Sequence, residues 1–224
     1  MESMKRLDKL AIKNGTDKGS NFEDSHNYTS FYEPYFEKYE RPAILELGTY
    51  HGGSTRMFND YYDGDCEIYT VDITAIAYDY VSDMSNVHFL LEDISTYEGV
   101  ERLCEQLKGL KFDIILDDAS HTSEQQFCCL YGLNKLLKED GIYIIEDIHF
   151  SRLWDQNPIE TPLYFVTFLN EVPFYSHDKY KELKNKIQDV ILYSHKNEST
   201  EDMKYYWGGR SMTALLTFNN NVQN

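Results

Sequence analysis

Two apolar runs each end in a pair of acids with a histidine close behind: FDIILDDASH at residues 112–121 and GIYIIEDIH at residues 141–149. Read as strands, they put Asp117, Asp118, Glu146 and Asp147 at strand ends, with His121 three residues past Asp118 and His149 two past Asp147. Clustered carboxylates repel one another unless they are protonated, paired with a base or neutralised by a cation. Few basic residues lie nearby in sequence, so a hard divalent ion with oxygen ligands is the economical answer. Mg²⁺ fits because it takes a few carboxylates and keeps its other positions for water or substrate oxygens. Adjacent strand residues point to opposite faces, which favours Asp118 for an ion; Asp117 reads equally as a structural acid bonded to backbone amides.

A second chemical group surrounds the turn ELGTYHGGS at 46–54. Gly48 and Gly52 permit a tight turn and a close approach of the backbone to a ligand. The next apolar run closes on Asp72, roughly 20 residues beyond the turn, where an acid can accept hydrogen bonds from both hydroxyls of a ribose. The spacing is G-x-x-x-G-G rather than the G-x-G-x-x-G of nicotinamide dinucleotide sites, and Glu46 stands directly before the turn. A glycine turn between strand and helix also serves packing alone, so it gains meaning only from the acid that follows.

Holding both groups requires a sheet. The runs at 43–47, 67–73, 87–93, 112–118 and 141–147 have continuous apolar centres and predict strands covered on both faces. Apolar spacing predicts helices at 54–61, at 97–108 through Val100, Leu103, Cys104 and Leu107, and at 123–137 through Phe127, Leu130, Leu133 and Leu137. This is the alternation of a doubly wound α/β fold, in which ligands bind beyond the carboxyl ends of the strands. A helix at 163–171 and strands at 189–194 and 212–218 are expected later, the two strands forming an antiparallel edge on a mostly parallel seven-stranded sheet. Residues 41–224 read as one domain, with 1–40 as its N-terminal cap or lid, and no repeat or linker marks another.

Bulk properties agree with a single folded unit. The 224 residues suit one core, and 42% hydrophobic with 26% charged residues is ordinary globular usage. A formal charge of −17 argues against nucleic acid or anionic lipid as a partner. No run reaches the roughly 18 apolar residues of a membrane span, and MESMKRLDKLAIKNG carries charges where a signal peptide needs an apolar stretch, so a cytoplasmic location is expected. Cys66, Cys104, Cys128 and Cys129 lack a C-x-x-C pair and read as buried thiols.

Taken jointly, LELGTYHGGS, TVDI, LLEDIS, DDASH and IIEDIH, with GTDKG and HNYTSFYEPYF upstream, resemble the class I S-adenosylmethionine-dependent methyltransferases. The nearest likeness is to the bacterial metal-dependent sugar O-methyltransferases of the macrolide type, and it covers nearly the whole chain. The resemblance implies that Glu46 and the backbone of residues 48–53, including Gly48, Thr49 and Gly52, lie against the amino-acid part of S-adenosylmethionine. It implies that Asp72 holds the ribose, that Glu92 and Asp93 border the adenine, and that Ser54, Ile73, Asp117 and Tyr28 are further cofactor contacts. Asp118, Glu146 and Asp147 become ligands of Mg²⁺ or another divalent cation, and His121 the base. A metal chelating two sugar oxygens lowers the pKa of the acceptor hydroxyl, and a neutral imidazole removes its proton as the oxygen attacks the methyl group.

The implied acceptor is a small molecule or glycan bearing a sugar hydroxyl, and the family fold implies a homo-oligomer. His149 falls near the ion or the substrate. The N-terminal segment, with six aromatics from Phe22 to Phe36, would fold over the pocket and touch it through His26 and Tyr28. The stretches at 154–161 and 205–210 would shape acceptor specificity. Ala119 stands where the family more often has glycine; a positive φ there would shift the histidine loop. Two other readings use the same residues: an oxygenase resembling cephalosporin hydroxylase-like proteins, with His121, His149 and one acid around iron, and a non-catalytic small-molecule-binding subunit.

Overall fold

The computed structural model describes residues 4–20, 25–148, 177–196 and 210–219. Strands β1 (Ala43–Leu47), β2 (Glu67–Asp72), β3 (Val87–Leu91), β4 (Phe112–Asp117) and β5 (Leu137–Ile145) form where the apolar runs lie. They pair in parallel in the order β3-β2-β1-β4-β5. Two further strands, β6 (Ile187–Lys196) and β7 (Arg210–Phe218), complete a seven-stranded sheet, with β7 antiparallel to both β5 and β6. Strand order reverses between β1 and β4, which opens a crevice at their carboxyl ends. β5 starts earlier than its apolar run: Leu137 pairs with Phe112, then the register shifts around the exposed Lys138, Glu139 and Asp140 before Ile142 meets Ile114. A polar bulge of this kind is invisible to an apolar-run reading.

Helices α3 (Gly53–Tyr61), α4 (Tyr97–Gln106) and α5 (Ser123–Leu133) follow β1, β3 and β4. Thr96 caps α4 by accepting from the Gly99 N–H, and Thr122 caps α5 by accepting from the Gln125 N–H. The expected extension of α5 to residue 137 does not form: residues 134–136 tighten into a 3₁₀ turn, with the Asn134 amide donating to the Leu130 and Tyr131 carbonyls. A helix at His177–Lys186, labelled α6, precedes β6 and was not read from the sequence. The expected helix at 163–171, the stretches 154–161 and 205–209, and His149 lie outside the described residues.

Alternation along the strands sorts the core into two faces. Leu45, Leu47, Ile115, Tyr143 and Ile145 pack with Val100, Leu103, Phe127 and Leu130 of α4 and α5. Ile44, Ile68, Ile114, Leu116, Ile142 and Ile144 pack on the other face with Met57 and Phe58 of α3. The N-terminal segment belongs to that second face. Its helices α1 (Arg6–Asn14) and α2 (Thr29–Phe36) contribute Leu7, Ala11, Tyr32 and Phe36, all fully buried, so residues 1–40 supply core as well as any cover. Burial of the side chains of Tyr32 and Phe36 contributes on the order of 2–3 kcal/mol each. Gly15, in the left-handed conformation at φ 69°, ends α1 and turns the chain across the carboxyl end of the sheet. Among the described residues no helix is long and apolar enough to cross a membrane. All four cysteines are free, with Cys66, Cys128 and Cys129 buried.

Candidate active site

A cavity of about 600 Å³ opens at the carboxyl ends of the central strands, within the usual range for a small-molecule site. Its walls come from residues 14–18, 48–51, 53–54, 71–73, 92–95 and 118–121, with Gln125 and Asp147. Two unlike halves meet there.

The first half is the glycine turn. Gly48 leaves β1 at φ 95°, and a Cβ on it would drive into the Asp118 carbonyl oxygen. Tyr50 holds φ 48°, uncommon for an aromatic residue, and remains 75% exposed at the cavity rim. Asp72 fixes this conformation: Oδ2 accepts from the N–H groups of Thr49 at 3.1 Å and Tyr50 at 2.9 Å, and Oδ1 from the Thr74 N–H at 2.8 Å. Of the residues expected at the cofactor, Gly48, Thr49, Ser54, Asp72, Ile73 and Asp93 line the cavity, and Glu92 does so too.

Glu46, Gly52, Asp117 and Tyr28, also expected there, are not among the lining residues. Glu46 shares the parity of Ile44, so it is buried beneath α3, where its carboxylate accepts from the Ser54 and Thr55 hydroxyls. Gly52 starts α3 in the left-handed conformation, packed against Val81 and Tyr80. Asp117 shares the parity of Ile115 and lies fully buried under α5, accepting from the Gln125 amide at 3.1 Å; burial pushes its pKa up to about 7. Tyr28 is fully buried, and its hydroxyl donates to Asp147 Oδ1 at 2.6 Å.

The second half is the acid cluster. Asp118 and Glu146 continue the parity of Leu116 and Ile144, which sends both carboxylates to the face covered by the N-terminal segment. Lys18, 100 residues upstream of Asp118 and 128 upstream of Glu146, meets them: its Nζ bonds Asp118 Oδ2 and lies 2.6 Å from Glu146 Oε2. The other Glu146 oxygen accepts from the Tyr32 hydroxyl at 2.8 Å. Lys18 and Glu146 side chains are each only 1% exposed. Burial alone would push the Lys18 amine down, but the carboxylates of Asp118 and Glu146 outweigh it and hold the pKa well above the usual lysine value. Burial also lifts Asp118 and Glu146 above the ordinary carboxylate range, because one ammonium cannot neutralise them and Asp147 together.

This geometry bears on the expected metal ligands. Asp118, His121 and Asp147 present ligand atoms that all lie within 4.8 Å of one another. His121 Nδ1 is 3.9 Å from Asp118 Oδ1 and 3.9 Å from Asp147 Oδ2. Glu146 is not in this group; Lys18 and Tyr32 engage its two oxygens instead. The two carboxylates, in surplus negative charge and with the His121 imidazole beside them, fit a hard divalent cation. His26 stands at the same place, 3.6 Å from Asp17 Oδ2 and 3.7 Å from Asp147 Oδ1, its ring stacked on Tyr28.

Backbone strain collects here too: Asn27, Tyr50, His121 and Asp147 all have φ between 48° and 57°. Ala119 is not among the positive-φ residues, so its methyl group costs the histidine loop nothing; the unusual φ falls on His121. Sequence reasoning missed Lys18. The available signal was the charge imbalance of the acids, together with a lysine inside GTDKG, a short polar turn with no apolar partner spacing.

No protein-family model matches the chain. Among solved structures, the MycE methyltransferase of the mycinamycin biosynthetic pathway, in complex with Mg and SAH, superposes with a TM-score of 0.68 at 19% identity, over 99% of this chain and 57% of that one. A Podospora anserina methyltransferase, PaMTH1, bound to SAH, reaches a TM-score of 0.54 at 13% identity, over 97% and 89% of the two chains. The fold is that of a class I methyltransferase. In sequence, this methyltransferase-fold chain is 29% identical over 156 residues to the 8-demethyl-8-alpha-L-rhamnosyl tetracenomycin-C 2'-O-methyltransferase of Streptomyces olivaceus, spanning 63% of this chain and 37% of that protein. It is 26% identical over 132 residues to the mycinamicin VI 2''-O-methyltransferase of Micromonospora griseorubida, spanning 55% and 32%. The methyltransferase fold here thus corresponds to about a third of the length of the curated relatives it matches.

Proposed function

We propose that the chain transfers the methyl group of S-adenosylmethionine to a hydroxyl of a sugar-bearing small molecule or glycan, with a divalent cation in the acid cluster. One observation carries this reading: the turn at Gly48 and the group Asp118, His121 and Asp147 line a single cavity. The sequence likeness to two sugar O-methyltransferases supports the class of acceptor.

When bound, S-adenosylmethionine supplies an electrophilic methyl group, and a divalent cation lowers the pKa of a coordinated hydroxyl. Asp118 and Asp147 would hold such a cation, leaving positions for acceptor oxygens. His121, beside both carboxylates, takes the hydroxyl proton at an imidazole nitrogen as the oxygen attacks. Asp72, Ile73, Thr49 and Ser54 all line the cavity; in this reading Asp72 and Ile73 would bracket the ribose and adenine, and Thr49 and Ser54 the amino-acid part. Among the described residues the group holds one histidine and two carboxylates; the two-histidine, one-carboxylate set that suits a non-haem iron oxygenase would need His149, which lies outside them.

The test is transfer of labelled methyl from S-adenosylmethionine to a panel of nucleotide sugars, glycans and glycosylated natural products, with Mg²⁺ and with EDTA. Transfer should require the cation. His121→Ala and Asp118→Asn should lower turnover by about 10²–10⁴-fold while retaining cofactor binding. Transfer at wild-type rate by either variant would overturn the assignment.

A further inference from the structure

Lys18 is the one lysine or arginine that the described fold brings into the acid cluster, beside the imidazole of His26, and no role in the proposed transfer uses it. Its surroundings are unusual in three respects. Its side chain is 1% exposed, so its charge has no bulk water to solvate it. Two of its three donors are directed at Asp118 and Glu146, the ends of neighbouring parallel strands. The hydroxyls of Tyr28 and Tyr32, from the same N-terminal segment, donate to Asp147 and Glu146. The acids of β4 and β5 are thus gathered by side chains that arrive from one distant stretch of sequence.

Charge counting shows what this does. With all three ionised, Asp118, Glu146 and Asp147 carry three negative charges, and Lys18 returns one, leaving two. A cluster with that residue of charge is matched to a single divalent ion. Without the lysine, three carboxylates would meet in a buried place with no lysine or arginine of the described residues between them, where like charges repel strongly.

We infer that Lys18 is a built-in counter-cation: it holds the acid cluster together before any metal arrives and limits how tightly the metal is then held. This deepens the function proposed above and rests, in its second half, on the reading that the cluster takes a divalent cation. Lys18 is a positioning residue, acting through Asp118 and Glu146. Because the ammonium already satisfies Glu146, the folded protein does not need the ion for stability, and the ion adds to an existing scaffold. Removing Lys18 transfers its duty to the ion.

The experiment uses the full chain and measures thermal unfolding in EDTA and in Mg²⁺, and Mg²⁺ affinity by calorimetry, for wild type, Lys18→Met and Lys18→Met/Glu146→Gln. Wild type should unfold at nearly the same temperature in either condition. Lys18→Met should lose about 10 °C in EDTA, regain about 3–6 °C of it in Mg²⁺, and bind Mg²⁺ about tenfold more tightly. The double variant, which deletes one charge of each sign, should regain stability in EDTA and return to wild-type affinity. If Lys18→Met fails to fold in EDTA, refolding in Mg²⁺ and rescue by Glu146→Gln carry the same test. Unchanged melting in EDTA, or a loss of stability with no gain in Mg²⁺ affinity, overturns the inference. Should wild type bind no divalent ion, the metal reading fails separately, and the EDTA melting of the two variants still decides whether Lys18 compensates the acids.

Discussion

The glycine turn and the acid cluster share one cavity but are held in opposite ways. Around the turn, each acid is satisfied by near neighbours: Asp72 by the backbone of Thr49, Tyr50 and Thr74, Glu46 by the hydroxyls of Ser54 and Thr55. In the cluster, the acids of β4 and β5 are satisfied by Lys18, Tyr28 and Tyr32, all more than 80 residues away in sequence. The first half is a local βα unit whose shape its own residues dictate. The second exists only once the N-terminal segment has packed on the sheet. A ligand bound at the turn should therefore depend on local backbone geometry, and an ion bound at the cluster on the docking of α1 and α2.

The largest expected effect comes where the halves touch. Gly48→Ala forces a Cβ against the Asp118 carbonyl at a positive φ. It should cost about 4 kcal/mol in denaturant unfolding, and it should weaken both S-adenosylmethionine and Mg²⁺ binding; loss of one alone would mean the halves are less coupled than their contact implies.

A smaller effect tests the acid that the sheet turns away. Asp117, raised to about 7 by burial, has a folded pKa above the roughly 3.9 of an unfolded chain. The unfolded state ionises first, so this residue costs the fold progressively more stability as pH rises from about 4 to 7, and the cost is complete above that. Asp117→Asn should therefore be neutral near pH 4 and stabilising by about 3–4 kcal/mol at pH 8. Equal effects at both pH values in melting experiments would contradict its burial as an acid.

Asp72→Ala separates the halves. It frees the Thr49, Tyr50 and Thr74 N–H groups and should cost about 1–2 kcal/mol, with cofactor affinity lost and calorimetric Mg²⁺ affinity kept. The smallest change, Thr96→Ala, removes the α4 cap remote from the cluster. It should cost about 1 kcal/mol and leave both binding constants alone, which makes it the control for general destabilisation.

Much of this was legible in the chain itself. The apolar runs located β1 to β4 to within about two residues at each end, because strands buried on both faces must be apolar throughout. Strand alternation alone separates Asp118 from Asp117, and the spacing after the glycine turn points to Asp72. The start of β5 escaped because its polar bulge interrupts the apolar run, and α5 ended early because Asn134 bonds back onto the helix's last carbonyls.

What the sequence determined alone, then, is everything set by period and neighbourhood: the sheet, its two faces and the turn. Tertiary structure decided which charges meet. It carried Lys18 across the sheet to Asp118 and Glu146, moved Glu46 and Asp117 out of the cavity wall, and, among the described residues, left Asp118 and Asp147 beside His121 as a group able to hold an ion. The reason is physical: hydrophobic periodicity is written locally, whereas compensation of a buried charge is a condition on space that any residue may meet from anywhere in the chain.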